Sequence, residues 1–214
     1  GLIALSPLIL IVFCACLVDS KSPIVTQTRV GRYSRPFTII KFRTMHVGTN
    51  SLGTHLVPDS SVTSVGRILR KFKLDELPQL INIFKGDMSV IGPRPLTSQT
   101  FEAYSDKSKN CIKLVRPGLS GIGSIIFRDE EEIMHGASAS VDFYANVIAP
   151  YKGALEEWFV SRKSLYIYFV AIFVTVWAVL IPSTKIAWRV FKDLPEPPTE
   201  LSQPLNYSMF NEKN

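Results

Sequence analysis

The sequence predicts an α+β, mainly helical domain tied to a membrane, and three observations carry that reading. Two apolar blocks, Leu2–Val18 and Ser164–Pro182, contain no charged residue. Between them, short segments with apolar residues at i, i+3, i+4 and i+7 alternate with turns rich in Gly and Pro. A two-residue alternation runs through Phe37–Met45, placing Lys41 and Arg43 on one face and Ile40 and Phe42 on the other, which predicts a small β element. With 214 residues the chain can build one core of ordinary size plus appendages. Its formal charge of +6 points to anionic partners: nucleotide phosphates, lipid headgroups or nucleic acid.

The first apolar block would span roughly 25 Å as a helix, short of the ~30 Å hydrocarbon core. Pro7 removes one backbone hydrogen bond inside it, so a kink or a turn is expected there. A signal peptide is the competing reading, but there is no basic leading region and no A-x-A cleavage site. Cys14 and Cys16 fall in the apolar run and Cys111 stands alone, a pattern that makes no disulfide framework. His46, His55 and His135 have no ligand spacing, so no zinc site is expected.

Gly48–Ser61, rich in Gly, Ser, Thr and Pro, reads as a loop. Thr63–Lys73 reads as an amphipathic helix with Val65, Ile68, Leu69 and Phe72 inward and Arg67, Arg70 and Lys71 outward. A second helix is predicted from about Asp75 to Phe84, with Leu77, Leu80, Ile81 and Phe84 inward, Pro78 in its first turn and Gly86 as its left-handed cap. Ile91–Pro95 and Arg116–Gly121 read as turns, since proline removes donors and drives the preceding residue out of the helical region. Asp129–Glu132 reads as a solvated helix start, Lys152–Arg162 as a helix with Leu155, Trp158 and Phe159 inward, and Asp193 onward as disordered.

The candidate chemistry lies in LDELPQLINIFKGDMSVIGPRP, Leu74–Pro95. Its adjacent acids, Asp75 and Glu76, suit a carboxylate nucleophile and a divalent-cation ligand, but Asp75 also stands where a helix N-cap belongs and Glu76 is an ordinary first-turn acid. The residues alone leave both readings open.

Together with the upstream KFRTM (Lys41–Met45) and the downstream RPGLSG (Arg116–Gly121), this segment resembles the bacterial sugar transferase family, the monotopic phosphoglycosyl transferases, in motif order and spacing across most of Leu2–Leu180. The resemblance implies transfer of a sugar-1-phosphate from a UDP-sugar to a polyprenyl (undecaprenyl) phosphate, with release of UMP, as a first membrane step of glycan assembly. It implies Asp75 as the nucleophile of a covalent phosphosugar intermediate, Glu76 as Mg²⁺ ligand or proton-steering acid, and Arg43, Arg70 and Arg94 as phosphate-binding cations. It also implies that the Pro93–Arg94–Pro95 turn holds the uridine base. Lys41, Asp87 and Arg116 match motif positions as well and are expected to be structural.

In that family Ser6-Pro7 would make the first membrane helix re-entrant. The expected division is therefore residues 1–18 as a re-entrant membrane helix with further residues upstream, 19–163 as a cytosolic catalytic domain, 164–182 as an apolar helix associated with or spanning the membrane, and 183–214 as a partly disordered tail. The basic content of Lys21–Arg162 places the catalytic domain on the cytoplasmic face of a bacterial inner membrane. The chain departs from the family where Tyr168 and Val170 replace a usual Asp and Lys. The rival readings are a catalytically inactive paralogue and a basic membrane-attached binding module. No nucleic-acid partner is expected, because the basic residues surround a carboxylate pair and the aromatic residues are not interleaved with them. The particular sugar and the oligomeric state are not encoded in any recognisable motif.

Overall fold

The computed structural model describes residues 2–49, 61–128, 130, 133, 141–181 and 185–207. Leu2–Ser20 forms one uninterrupted helix, α1, with Pro7 inside it. Pro7 has no N–H to give the Ile3 carbonyl four residues back. The Ser6 hydroxyl donates to that carbonyl instead, at 2.8 Å, so the helix continues where a turn was one expectation. Ile3–Ser20 is long and apolar enough to cross a membrane. Ile3, Leu10, Ile11 and Val18 are exposed, while the stripe of Val12 and Cys16 packs on Phe42 and Leu69.

Strands β1 (Ile24–Val30) and β2 (Pro36–Phe42) form an antiparallel pair. Their register sets Val25 opposite Lys41, Gln27 opposite Ile39 and Arg29 opposite Phe37. Cross-strand partners share a face, so Arg29, Ile39 and Lys41 lie together. Phe42 takes the other face and is buried with Ile24 against α1. β2 stops at Phe42, one residue before Arg43.

Helix α2 (Ser64–Lys71) begins at Thr63, whose Oγ1 accepts the Gly66 N–H at 2.9 Å. Of the apolar stripe expected to face inward, Leu69 is buried but Ile68 and Phe72 are 57% and 50% exposed. A 3₁₀ turn over Leu74–Glu76 follows, and α3 runs from Gln79 to Lys85, closed by Gly86 at φ 84°. The helix expected from Asp75 therefore starts four residues later. Its inward face also differs from the expected one: Gln79 and Asn82 are buried, Leu77 packs half-buried on the Phe42 and Leu69 cluster and Leu80 is half-buried, while Ile81 and Phe84 are exposed. The cause is a pair of hydrogen bonds to β2. Asn82 Oδ1 accepts the Ile40 N–H at 3.2 Å and Nδ2 donates to the Thr38 carbonyl at 2.7 Å.

Strand β3 (Ser89–Ile91) leads into the irregular Gly92–Thr97 segment, then α4 (Ser98–Glu102) and α5 (Asp106–Ile112). β4 (Gly118–Ser120) pairs parallel with β3, so both expected turns contribute a short strand: Ile91 ends one and the centre of RPGLSG forms the other. Glycine permits this, because a Cβ on Gly118 or Gly121 would run into the Gly92 backbone.

Helix α6 (Ile122–Ile126) lies against α7 (Ala149–Arg162), which is entered through a π-helical turn over Tyr144–Ile148. Leu155, Trp158 and Phe159 are buried in α7, as expected. Glu130 is not a solvated acid: both its oxygens accept from the buried Lys152 ammonium, at 2.8 and 2.9 Å. Helix α8 (Leu165–Leu180) buries Ala171, Val174 and Ala178, keeps Tyr168 half-buried on the main core, and exposes Leu165, Phe169, Phe173 and Leu180.

Beyond it come α9 (Lys185–Val190) and α10 (Thr199–Ser202). The disorder expected from Asp193 onward does not describe residues 193–207, whose Leu194, Leu201 and Leu205 are buried in the main core. Most of the expected Gly48–Ser61 loop, Asp129, Glu131 and Glu132 of the acidic run, His55, His135 and the last seven residues of the tail lie outside the described residues.

Candidate active site

Lys73 opens the 3₁₀ turn in the left-handed conformation, φ 55° and ψ 25°. That costs a non-glycine residue about 1 kcal/mol, and it swings the chain out of α2 so that Asp75 and Glu76 are presented beside β2. Neither acid caps a helix. Pro78 occupies the N-cap of α3 and no side chain caps that end, which removes the capping role that Asp75's position suggested.

Glu76 Oε1 accepts from Lys41 Nζ at 3.0 Å and lies 3.4 Å from Arg94 Nη2. Burial would push this carboxyl up, but the Lys41 ammonium and the Arg94 guanidinium outweigh it and hold the group down at about 2. Asp75 behaves oppositely. Burial, then the Glu76 charge beside it, raise its pKa against Lys41, Lys73 and Arg70. One carboxylate is thus locked as an anion and its neighbour is less readily ionised, the separation of roles that adjacent acids need.

The remaining expected cations divide. Arg70 reaches this region from α2, with Nε donating to Thr44 Oγ1 at 3.0 Å and its charge felt by Asp75. Arg94 is at the centre. Arg43 is turned away: its guanidinium donates to the Ser22 carbonyl at 2.8 Å and the Ile24 carbonyl at 3.4 Å, tying the chain between α1 and β1. The Pro93–Arg94–Pro95 turn is fixed by its backbone. The Pro93 carbonyl accepts the Gly118 N–H at 2.8 Å and the Pro95 carbonyl accepts from Arg29 Nη1 at 3.1 Å. Pro95 lines the same cleft as Glu76 and Arg94.

Lys41, expected to be structural, is a member of the site, whereas Arg116 is exposed. Of the polar cleft residues, Arg29 lies outside the motif strings, and Gln79 lies inside LDELPQL with no role assigned to it. Arg29 was detectable in principle, as a cation two residues from Gln27 on the strand face that shares register with Ile39 and Lys41. Gln79 was not, because the period of α3 assigns it to the solvent side.

For a metal, Asp75 and Glu76 are adjacent carboxylates, and among the described residues no three His, Cys, Asp or Glu side chains cluster. Such a sparse oxygen set suits Mg²⁺, which keeps several waters and takes further ligands from substrate phosphates.

Comparison with known proteins gives this arrangement its context. The chain is 38% identical over 143 residues to a UDP-N-acetylgalactosamine-undecaprenyl-phosphate N-acetylgalactosaminephosphotransferase of Aeromonas hydrophila, covering 64% of this chain and 32% of that protein. It is 34% identical over 146 residues to the undecaprenyl-phosphate galactose phosphotransferase of Salmonella typhimurium, covering 60% and 30%. It is 34% identical over 162 residues to the UDP-glucose:undecaprenyl-phosphate glucose-1-phosphate transferase of Caulobacter vibrioides, covering 73% and 58%. The chain therefore spans between 30% and 58% of the length of these relatives. The profile described as bacterial sugar transferase matches residues 1–182, and on that match the chain belongs to the bacterial sugar transferase family.

Proposed function

We propose that this chain transfers a sugar-1-phosphate from a UDP-sugar to undecaprenyl phosphate, releasing UMP, in two steps through Asp75. In the first, a carboxylate oxygen of Asp75 attacks the β-phosphorus, the bond to the bridging oxygen breaks, and UMP leaves with that oxygen and its electron pair. In the second, an oxygen of the lipid phosphate attacks the same phosphorus and Asp75 is released as a carboxylate. The observation that carries this reading is the Asp75–Glu76 pair on a 3₁₀ turn, with Lys41 and Arg94 gathered on Glu76 from two other elements.

Charge neutralisation is what phosphoryl transfer chiefly asks of a protein, and Lys41, Arg70 and Arg94 supply it as fixed cations. Glu76 steadies Lys41 and Arg94 and is the carboxylate we assign to Mg²⁺. The metal, when bound, would neutralise diphosphate charge as UMP departs. Pro93 and Pro95 stiffen the turn that presents Arg94, and we assign that turn to the uridine side of the donor. Arg43 acts in this scheme by holding the entry to β1.

The acceptor is a lipid, so the site must work at a bilayer. The unpartnered apolar surfaces of α1 and α3 are the ones we assign to lipid, and with them a cytoplasmic placement of the catalytic region. The names of the relatives span N-acetylgalactosamine, galactose and glucose, so the donor sugar is a matter for measurement. The test is UMP release by the full chain in detergent, with undecaprenyl phosphate and a panel of UDP-sugars. One donor should support turnover, and the same donor without lipid should leave one phosphosugar of added mass on the peptide holding Asp75. Turnover that never forms that adduct would replace the two-step scheme by direct attack of the lipid phosphate. No UMP from any donor would overturn the transferase reading.

A further inference from the structure

Arg29 stands out among the cations of the cleft. Lys41 and Arg94 both pair with Glu76, whereas Arg29 has no carboxylate partner among the described residues. It nonetheless lines the same cleft as all three. The donors of its guanidinium can be counted. Of five N–H groups, Nη1 gives one to the Pro95 carbonyl at 3.1 Å and Nη2 gives one to Gln27 Oε1 at 2.5 Å. The Nε–H is buried and has no acceptor among the described residues. Two N–H groups are left, one on each terminal nitrogen.

The surroundings say which ligand those donors suit. The cleft holds three cations, Arg29, Lys41 and Arg94, against one carboxylate lining it, Glu76, so it carries surplus positive charge. Two guanidinium groups close to one another in a partly buried site repel, and Arg94 correspondingly helps burial to lower the Arg29 pKa to about 10. Such a pair is costly when empty and becomes favourable when an anion lies between them. The forked geometry of guanidinium matches phosphate oxygens. Gln27 and the Pro95 carbonyl hold the Arg29 fork from two sides, so little side-chain freedom is lost on binding.

We propose that Arg29 is a phosphate-binding residue, gripping together with Arg94 an anionic phosphate of a substrate. The inference rests on the transferase reading only for the identity of that substrate; the recognised chemistry is a phosphate or diphosphate group, from the nucleotide or from the lipid.

The test uses the full chain in detergent, with wild type, Arg29→Lys and Arg29→Gln titrated calorimetrically with UDP, inorganic pyrophosphate and farnesyl phosphate. Gln can still donate to the Pro95 carbonyl, so the turn keeps its support while the charge is lost. Arg29→Gln should raise Kd about tenfold or more for at least one phosphate ligand, as expected for a lost charge-assisted contact. Arg29→Lys should lose less, since it keeps the charge without the fork. The salt dependence of that Kd should be shallower in Arg29→Gln than in wild type, because a screened charge has been removed.

Loss for UDP and pyrophosphate with farnesyl phosphate unaffected places the residue on the donor diphosphate; loss for farnesyl phosphate alone places it on the acceptor. Pyrophosphate binding that depends on Arg29, in a protein that releases no UMP, would keep this inference and sink the transferase reading. Normal turnover with all three Kd values within twofold of wild type would overturn the inference. So would weakened binding accompanied by a lower melting temperature and an unchanged salt slope, since Arg29 would then only be supporting the Pro95 turn.

Discussion

At Asp75 and Glu76 two acids one residue apart meet different partners, and the partners decide their chemistry. Glu76 is pinned by Lys41 and Arg94, while Asp75 is raised by burial and by Glu76 itself. Asp75→Asn should abolish UMP release and adduct formation, because an amide cannot serve as the nucleophile. It should change the melting temperature little, since Asp75 caps no helix. Retained turnover in a normally melting Asp75→Asn protein would move the chemistry elsewhere.

A third carboxyl, Glu156, is buried in α7, and burial raises it to about 8 against the opposing charges of Lys152 and Arg94 and the Arg94 backbone N–H. Its folded pKa lies above the unfolded one, so its stabilising contribution is complete below about 4.5 and is lost as pH rises through about 8. Glu156→Gln should therefore gain melting temperature relative to wild type as pH goes from 5 to 8, with a limit of about 1.4 kcal/mol per pH unit. A difference that stays flat over that range would contradict the assignment.

Among the elements, α3 buries two polar side chains, Gln79 and Asn82, and exposes two apolar ones, Ile81 and Phe84. Asn82 satisfies two backbone groups on the edge of β2, which orients the helix and aims Ile81 and Phe84 away from the core. Asn82→Ala would remove both hydrogen bonds to β2, worth about 0.5–1.5 kcal/mol each, and thermal unfolding should show the loss. The outward Phe84 is 83% exposed. In the proposed bilayer placement a Phe84→Trp variant should emit at short wavelength in vesicles and be quenched by brominated phospholipids. Emission matching that of a water-exposed indole would place α3 away from lipid.

For the whole molecule, the family match ends at residue 182, yet the chain beyond it completes the core. Trp188 and Phe191 are buried with Leu194, Leu201 and Leu205, Phe191 packs edge-on against Trp158, and the Tyr151 hydroxyl donates to the Pro195 carbonyl at 2.8 Å. Large apolar side chains contribute about 1.5–3 kcal/mol each on burial, against a net domain stability of about 5–15 kcal/mol. A chain ending at residue 184 should consequently melt well below the full chain or aggregate in the same detergent. An unchanged melting curve would show that α7 stands without this cover.

Local sequence determined what local physics controls. The left-handed Gly86 cap, the burial of Leu155, Trp158 and Phe159, and the opposite faces of Lys41 and Phe42 follow from residue chemistry and period, and the motif strings named the family. Long-range partners decided the rest. Periodicity marks an apolar side without saying whether protein or lipid will cover it, so Ile81 and Phe84 of α3 could be read as inward. Asp75 lost its cap because Lys73 turns the chain and delays the helix to Gln79, and RPGLSG became a strand because Gly118 and Gly121 let it lie against Gly92. Arg43 and Arg29 exchanged places in the site for the same reason. A side chain's reach is local, but the carbonyl or carboxylate that it meets comes from another part of the chain.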